Sequence, residues 1–143
     1  MNEPTGLADL LAAAERTIER LEPAHALARV EAGAALVDVR STEARRRDGS
    51  VPGALHIPRT VLEWRLEPGG SSRSPYVAEG TPVVLLCDQG YSSVFAAAVL
   101  VAMGVDAADV IGGFAAWRDA GLPVVAVDDP PLGPDELAGW RPS

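Results

Sequence analysis

The chain has 143 residues, 48% of them apolar and 22% charged, a balance that fits one folded domain and excludes a disordered chain. Twelve arginines and no lysine stand against 20 acidic residues, and the resulting net charge of −8 argues against nucleic-acid binding. The single cysteine, Cys87, excludes an internal disulfide framework and any multi-cysteine zinc site, so it is either core filling or the centre of the chemistry.

Residues Met1 to Thr5 carry an acid and a proline rather than a basic start to an apolar run, so no secretory signal is read. The longest mainly apolar stretch, Val94 to Val105, is about half the ~20 residues that a membrane span needs. A cytoplasmic protein without membrane contact is expected. Leu7, Leu10, Leu11, Ala14, Ile18 and Leu21 recur at helical spacing, predicting one amphipathic helix within residues 1–21, ended by Pro23. A domain over 22–127 and a proline-rich tail over 128–143, pinned by Trp140, complete the expected organisation.

Within that domain, Pro23 to Glu31 reads as a helix stopped by Gly33, and Ala35 to Val39 as a buried strand. Thr42 to Asp48 reads as a polar helix whose Arg45, Arg46 and Arg47 lie on a solvated face. Leu55 to Ile57 forms a brief strand, Pro58 to Leu66 a helix, and Pro68 to Pro75 a loop with little to bury. Val83 to Leu86 is an all-apolar central strand. A helix capped by Ser92 or Ser93 then runs to Met103, with Val110-Ile111 as the next strand and Phe114 to Ala120 as the last helix.

Strands alternating with helices, each strand nearly all apolar, predict an α/β fold with a central, mostly parallel sheet flanked by helices on both faces. Sites in such sheets form at the C-terminal ends of the strands, and Cys87 sits there, between the central strand and a capped helix. A thiol facing loop amides and a helix N-terminus is stabilised as the thiolate. Gly90 lets the backbone of Cys87-Asp88-Gln89-Gly90-Tyr91-Ser92-Ser93 curl around a bound anion.

Four segments in this order resemble the rhodanese-like (sulfurtransferase) family across roughly Glu22 to Val125. They are Leu36-Val37-Asp38-Val39-Arg40, the stretch Gly49 to Pro58, the strand and loop Val83 to Ser93, and Gly112 to Val124 with its Gly-Gly, Trp117, Gly121 and Pro123. The resemblance implies a single rhodanese-like domain in which Cys87 takes a sulfane sulfur as a persulfide and passes it on. It makes Asp88, Gln89, Gly90, Tyr91, Ser92 and Ser93 the substrate-binding loop, with Asp38 and Arg40 bracing it. The expected partners are a small sulfur donor and a thiol acceptor or sulfur-carrying protein, with no cofactor and no metal.

The chain departs from the family pattern at two loop positions. Thiosulfate-active members often carry cations where this sequence has Asp88 and Ser92, so thiosulfate is expected to be a poor donor, with Arg59 the candidate replacement cation. The related phosphatases have a longer loop ending in arginine, which speaks against that activity. A non-catalytic binding module and a redox-sensing thiol that dimerises through Cys87 remain alternative readings. His56 and His25 read as structural and surface residues, Trp117 as core, Trp64 as near the pocket or core, and Gly112-Gly113 as a tight turn.

Overall fold

The computed structural model describes residues 3–127; the expected tail and Trp140 lie outside the described residues. Its strands are β1 (Glu19–Leu21), β2 (Ala35–Asp38), β3 (Leu55–His56), β4 (Val83–Leu86) and β5 (Ala107–Val110). Its helices are α1 (Leu7–Glu15), α2 (Pro23–Glu31), α3 (Thr42–Asp48), α4 (Leu62–Leu66), α5 (Ser92–Ala102) and α6 (Gly113–Asp119), with a 3-10 turn at Arg59–Val61. The strands form one parallel sheet in the order β1-β5-β4-β2-β3, so β4 is central and β1 lies on an edge.

Alternate residues of these strands point to opposite faces, and each face has its own core. Val37, Val83, Leu85 and Ala107 join Leu62, Leu66, Ala97 and Leu100 on the face covered by α4 and α5. Leu36, Val84, Leu86, Ala108 and Val110 join Ala26, Phe114 and Trp117 on the face covered by α2 and α6. Burial on both sides is why these strands read as continuous apolar runs. Trp117 is fully buried and its indole N–H donates to the Pro123 carbonyl at 2.8 Å.

The predicted single N-terminal helix is corrected. It stops at Glu15, Thr17 Oγ1 donates to the Ala14 carbonyl, and Glu19–Leu21 instead pairs in parallel with Ala108–Val110. Open backbone groups on the edge of β5 outweigh a helical periodicity whose apolar residues pack as well without a helix, Ile18 in the bend before β1 and Leu21 within it. Three smaller differences follow from tertiary contacts. Arg45 is drawn from the solvated face onto Asp38 at 3.3 Å, and Trp64 is 51% exposed rather than near the core. The loop at 68–75 turns inward, where Ser72 and Ser74 are buried and the Ser72 carbonyl accepts from Arg65 at 2.6 Å.

Two devices shape the C-terminal end of the sheet. Behind β2, buried Asp38 accepts from Arg40 at 2.9 Å and from Ser50 Oγ at 2.7 Å. Burial pushes the Asp38 carboxyl up, but hydrogen bonds and charge from Arg40, aided by Ser50, outweigh it and hold the group below its ordinary value. Beyond β5, Gly112 and Gly113 adopt left-handed conformations that open α6. The amides of Phe114 and Ala115 then donate to the carbonyls of Cys87 (2.7 Å) and Asp88 (3.0 Å).

A Cβ at Gly113 would stand 2.5 Å from the Cys87 carbonyl oxygen and 2.7 Å from the Gly90 nitrogen, both backbone atoms. With a φ of +62° besides, Gly113→Ala is expected to lower stability in urea unfolding by more than ~2 kcal/mol. Asp38, with its lowered pKa, contributes stability fully above the ordinary carboxylate value of ~4 and loses it as pH falls through the folded value. Urea titrations at pH 7 and pH 3 should therefore differ less in Asp38→Asn than in the parent, although the variant is weaker at pH 7.

Candidate active site

Cys87 follows directly on β4, and with a buried strand behind it the side chain is 4% exposed. Its Sγ accepts the Gly90 amide N–H at 3.1 Å, and its S–H donates to Ser93 Oγ at 3.2 Å. Gly90 turns with a φ of +83°, and a Cβ there would fall 2.6 Å from the Gly112 nitrogen, so the loop accepts no side chain at this point. Tyr91 is the N-cap of α5 and gives no side-chain cap; the expected Ser92 or Ser93 cap is not formed. The Ser93 hydroxyl is already committed, donating to Asp109 Oδ2 at 2.7 Å.

Val39, Arg40, Cys87, Asp88, Gln89, Tyr91 and Ser92 line one open cavity of about 360 Å³. Gly90 and Ser93 are buried at the loop's inner side. A second cavity of about 110 Å³, lined by Leu66, Arg73, Val83 and Val105 among others, lies at the N-terminal ends of β4 and β5. The larger one is at the end where parallel sheets build their sites.

Arg40 is fixed beside the loop and forms part of the cavity wall. Its Nη2 donates to Asp38 and to the Gly49 carbonyl, and its guanidinium stacks 4.1 Å from the Phe114 ring centroid. The remaining nitrogen, Nη1, is buried without a hydrogen-bond partner and stands 3.6 Å from an Asp88 carboxylate oxygen. A buried donor so placed can take an anion that enters the cavity. Arg59 is not brought to the site. It pairs with Glu63 one helical turn on, at 2.7 Å, and is absent from the cavity wall. His56 is buried with Nε2 2.7 Å from the Arg40 carbonyl oxygen, a structural contact.

The residue pattern gave no role to Arg20 and Asp109, which meet behind the loop. Arg20 grips buried Asp109 through Nε at 2.9 Å and Nη2 at 3.0 Å, and Nη2 also donates to the Gly90 carbonyl at 2.8 Å. Asp109 keeps the guanidinium charged beyond its already high ordinary value. The available signal was a carboxylate inside a strand otherwise built of alanine and valine. Among the described residues, no cluster of His, Cys, Asp or Glu is placed to hold a metal, and no helix is long and apolar enough to cross a membrane.

The rhodanese-like domain family model matches residues 22–120. Proteins named thiosulfate sulfurtransferase GlpE from Pseudomonas syringae pv. syringae (strain B728a) and Pseudomonas fluorescens (strain SBW25) are 35% and 33% identical over 101 residues. Each alignment covers 70% of this chain, and 87% and 84% of the respective relative. Among solved structures, a protein of unknown function from Rhodopseudomonas palustris CGA009, described as a possible tyrosine phosphatase, is similar with a TM-score of 0.78 and 33% identity. The match covers 87% of this chain and 98% of that one. Thiosulfate sulfurtransferase from Pseudomonas aeruginosa is similar with a TM-score of 0.58 and 28% identity, over 76% of this chain and 19% of that one. With the match running from the first turn of α2 through the last helix, the chain belongs to the family of rhodanese-like domains.

Proposed function

We propose that this protein is a sulfurtransferase that carries sulfane sulfur on Cys87. The observation that carries the reading is the buried thiol in the cavity lining, held by the Gly90 amide and Ser93 and sharing the cavity wall with Arg40, whose Nη1 makes no hydrogen bond. The thiolate attacks the outer sulfur of the donor, the donor's sulfur bond breaks, and its electron pair leaves with the departing group, sulfite in the case of thiosulfate. An acceptor thiolate or cyanide then attacks the terminal sulfur of the Cys87 persulfide and releases the thiolate unchanged. Loop amides and Arg40 favour the anionic persulfide between the two steps.

Relatives named for thiosulfate make it the first donor to test, but Asp88 opposes it. This carboxylate is half-exposed, lines the cavity and sits against the one guanidinium nitrogen that the anion would use. A charge pair at ~4 Å is worth about 1 kcal/mol in water and about 4 kcal/mol at an effective dielectric of 20. A doubly charged donor therefore binds weakly, and a persulfide delivered by a thiol or a carrier protein suits the cavity better. A phosphate ester fits poorly. Residues 88–93 contain no cation, and the last of them, Ser93, is buried and bound to Asp109.

Intact-mass measurement after incubation with thiosulfate and with cysteine persulfide tests the reading. A gain of one sulfur that Cys87→Ser abolishes is expected, and no gain with any donor would sink the proposal and favour a non-catalytic module. Removing the opposing charge should act on donor choice. Asp88→Asn is expected to raise kcat/KM for thiosulfate by about fivefold or more, with little change for a persulfide of low charge.

A further inference from the structure

We infer that Arg20 is a positioning residue for the Cys87 loop, acting on it from the edge strand along two routes that meet at the sulfur. Arg20 and Asp109 are direct partners in the β1–β5 register, which places their side chains on one face of the sheet. The first route is the backbone. Arg20 Nη2 holds the Gly90 carbonyl at 2.8 Å, and because the peptide is planar and trans, the Tyr91 N–H is turned away from Arg20. Gly90 is the loop residue with a left-handed φ, so its flanking peptides turn over most easily when nothing holds them.

The second route runs through the side chains. Asp109 accepts a hydrogen bond from the Ser93 hydroxyl, which leaves the Ser93 oxygen to accept the Cys87 S–H. Gly90 N–H returns to Sγ at 3.1 Å, so Arg20, Gly90, Cys87, Ser93 and Asp109 form a closed ring of hydrogen bonds. Once Cys87 loses its proton to water, sulfur has no hydrogen to give, and the Ser93 hydroxyl must swing from Asp109 to the thiolate. Asp109 can release it because two Arg20 donors remain on its oxygens. Without Arg20, a buried carboxylate would hold the Ser93 proton and the thiolate would lose a donor.

The inference rests on Cys87 being the sulfur carrier, and the test separates the two. Two rates are followed in the full chain: persulfidation of Cys87 by cysteine persulfide, and its alkylation by iodoacetamide, which needs no sulfur transfer. Arg20→Ala is expected to slow both at least about tenfold, persulfidation at saturating donor and alkylation in its second-order rate constant, while the half-saturating donor concentration changes little. Arg20→Lys should restore part of the loss. Ser93→Ala breaks the ring without touching the edge strand, and keeps the test open if Arg20→Ala does not fold. Because the two residues act in one ring, the double variant should fall within about twofold of the slower single. Parent-like rates in folded Arg20→Ala, or strictly additive losses, would overturn the inference. Loss of alkylation without any persulfidation in the parent would instead remove the sulfur-carrier reading and leave the positioning role intact.

Discussion

A loop that turns an amide toward a sulfur atom has to send its carbonyls elsewhere, and those carbonyls need donors of their own. Here three are accounted for individually. The Cys87 and Asp88 carbonyls go to the amides of Phe114 and Ala115, and the Gly90 carbonyl goes to Arg20. The first pair consumes donors at the start of α6 that have no partner inside the helix. That close approach of backbone to backbone leaves no room for a Cβ at Gly113 or Gly90. The glycine pair, the edge arginine and the helix behind it are one solution to a single bonding problem.

Charge is divided between the two sides of this loop. Behind it, Asp38 and Asp109 are buried, and each is gripped by arginine, so neither carries net charge toward the sulfur. In front, Asp88 is half-exposed and faces Arg40 across 3.6 Å. The inner carboxylates orient their partners, whereas the outer one acts on whatever enters. The geometry of the loop and the charge that an entering anion meets are thereby set by different residues of the same charge type.

β2 and β4 were legible because they are buried on both faces and read as apolar runs, and α2 and α3 because proline, serine and glycine punctuate them, whereas β5, expected at Val110-Ile111, runs over Ala107–Val110 with a buried Asp109. Cys87, its loop and the flanking glycines stood out for the same local reasons. What escaped reading was long-range. Three residues of β1 carry too short a pattern to mark a strand, and their assignment depends on an edge that only β5 provides. Arg20 consequently read as the polar side of a helix, and the same blindness left Arg59 as a nearby cation until its pairing with Glu63 was seen. Ser93 illustrates the limit well: a serine at a helix start favours capping, and only Asp109, sixteen positions later, diverts it.

The parallel pairing of β1 with β5 also orders events in time. Arg20 and Asp109 are 89 residues apart, so their contact is among the late, entropically costly closures of the chain. During synthesis Arg20 emerges long before the strand that receives it, and Cys87 emerges before Asp109. Until that final edge docks, the thiol has neither its oriented serine nor its fixed loop carbonyl. A half-made or truncated chain thus lacks these contacts around Cys87, and they arrive only with completion of the fold.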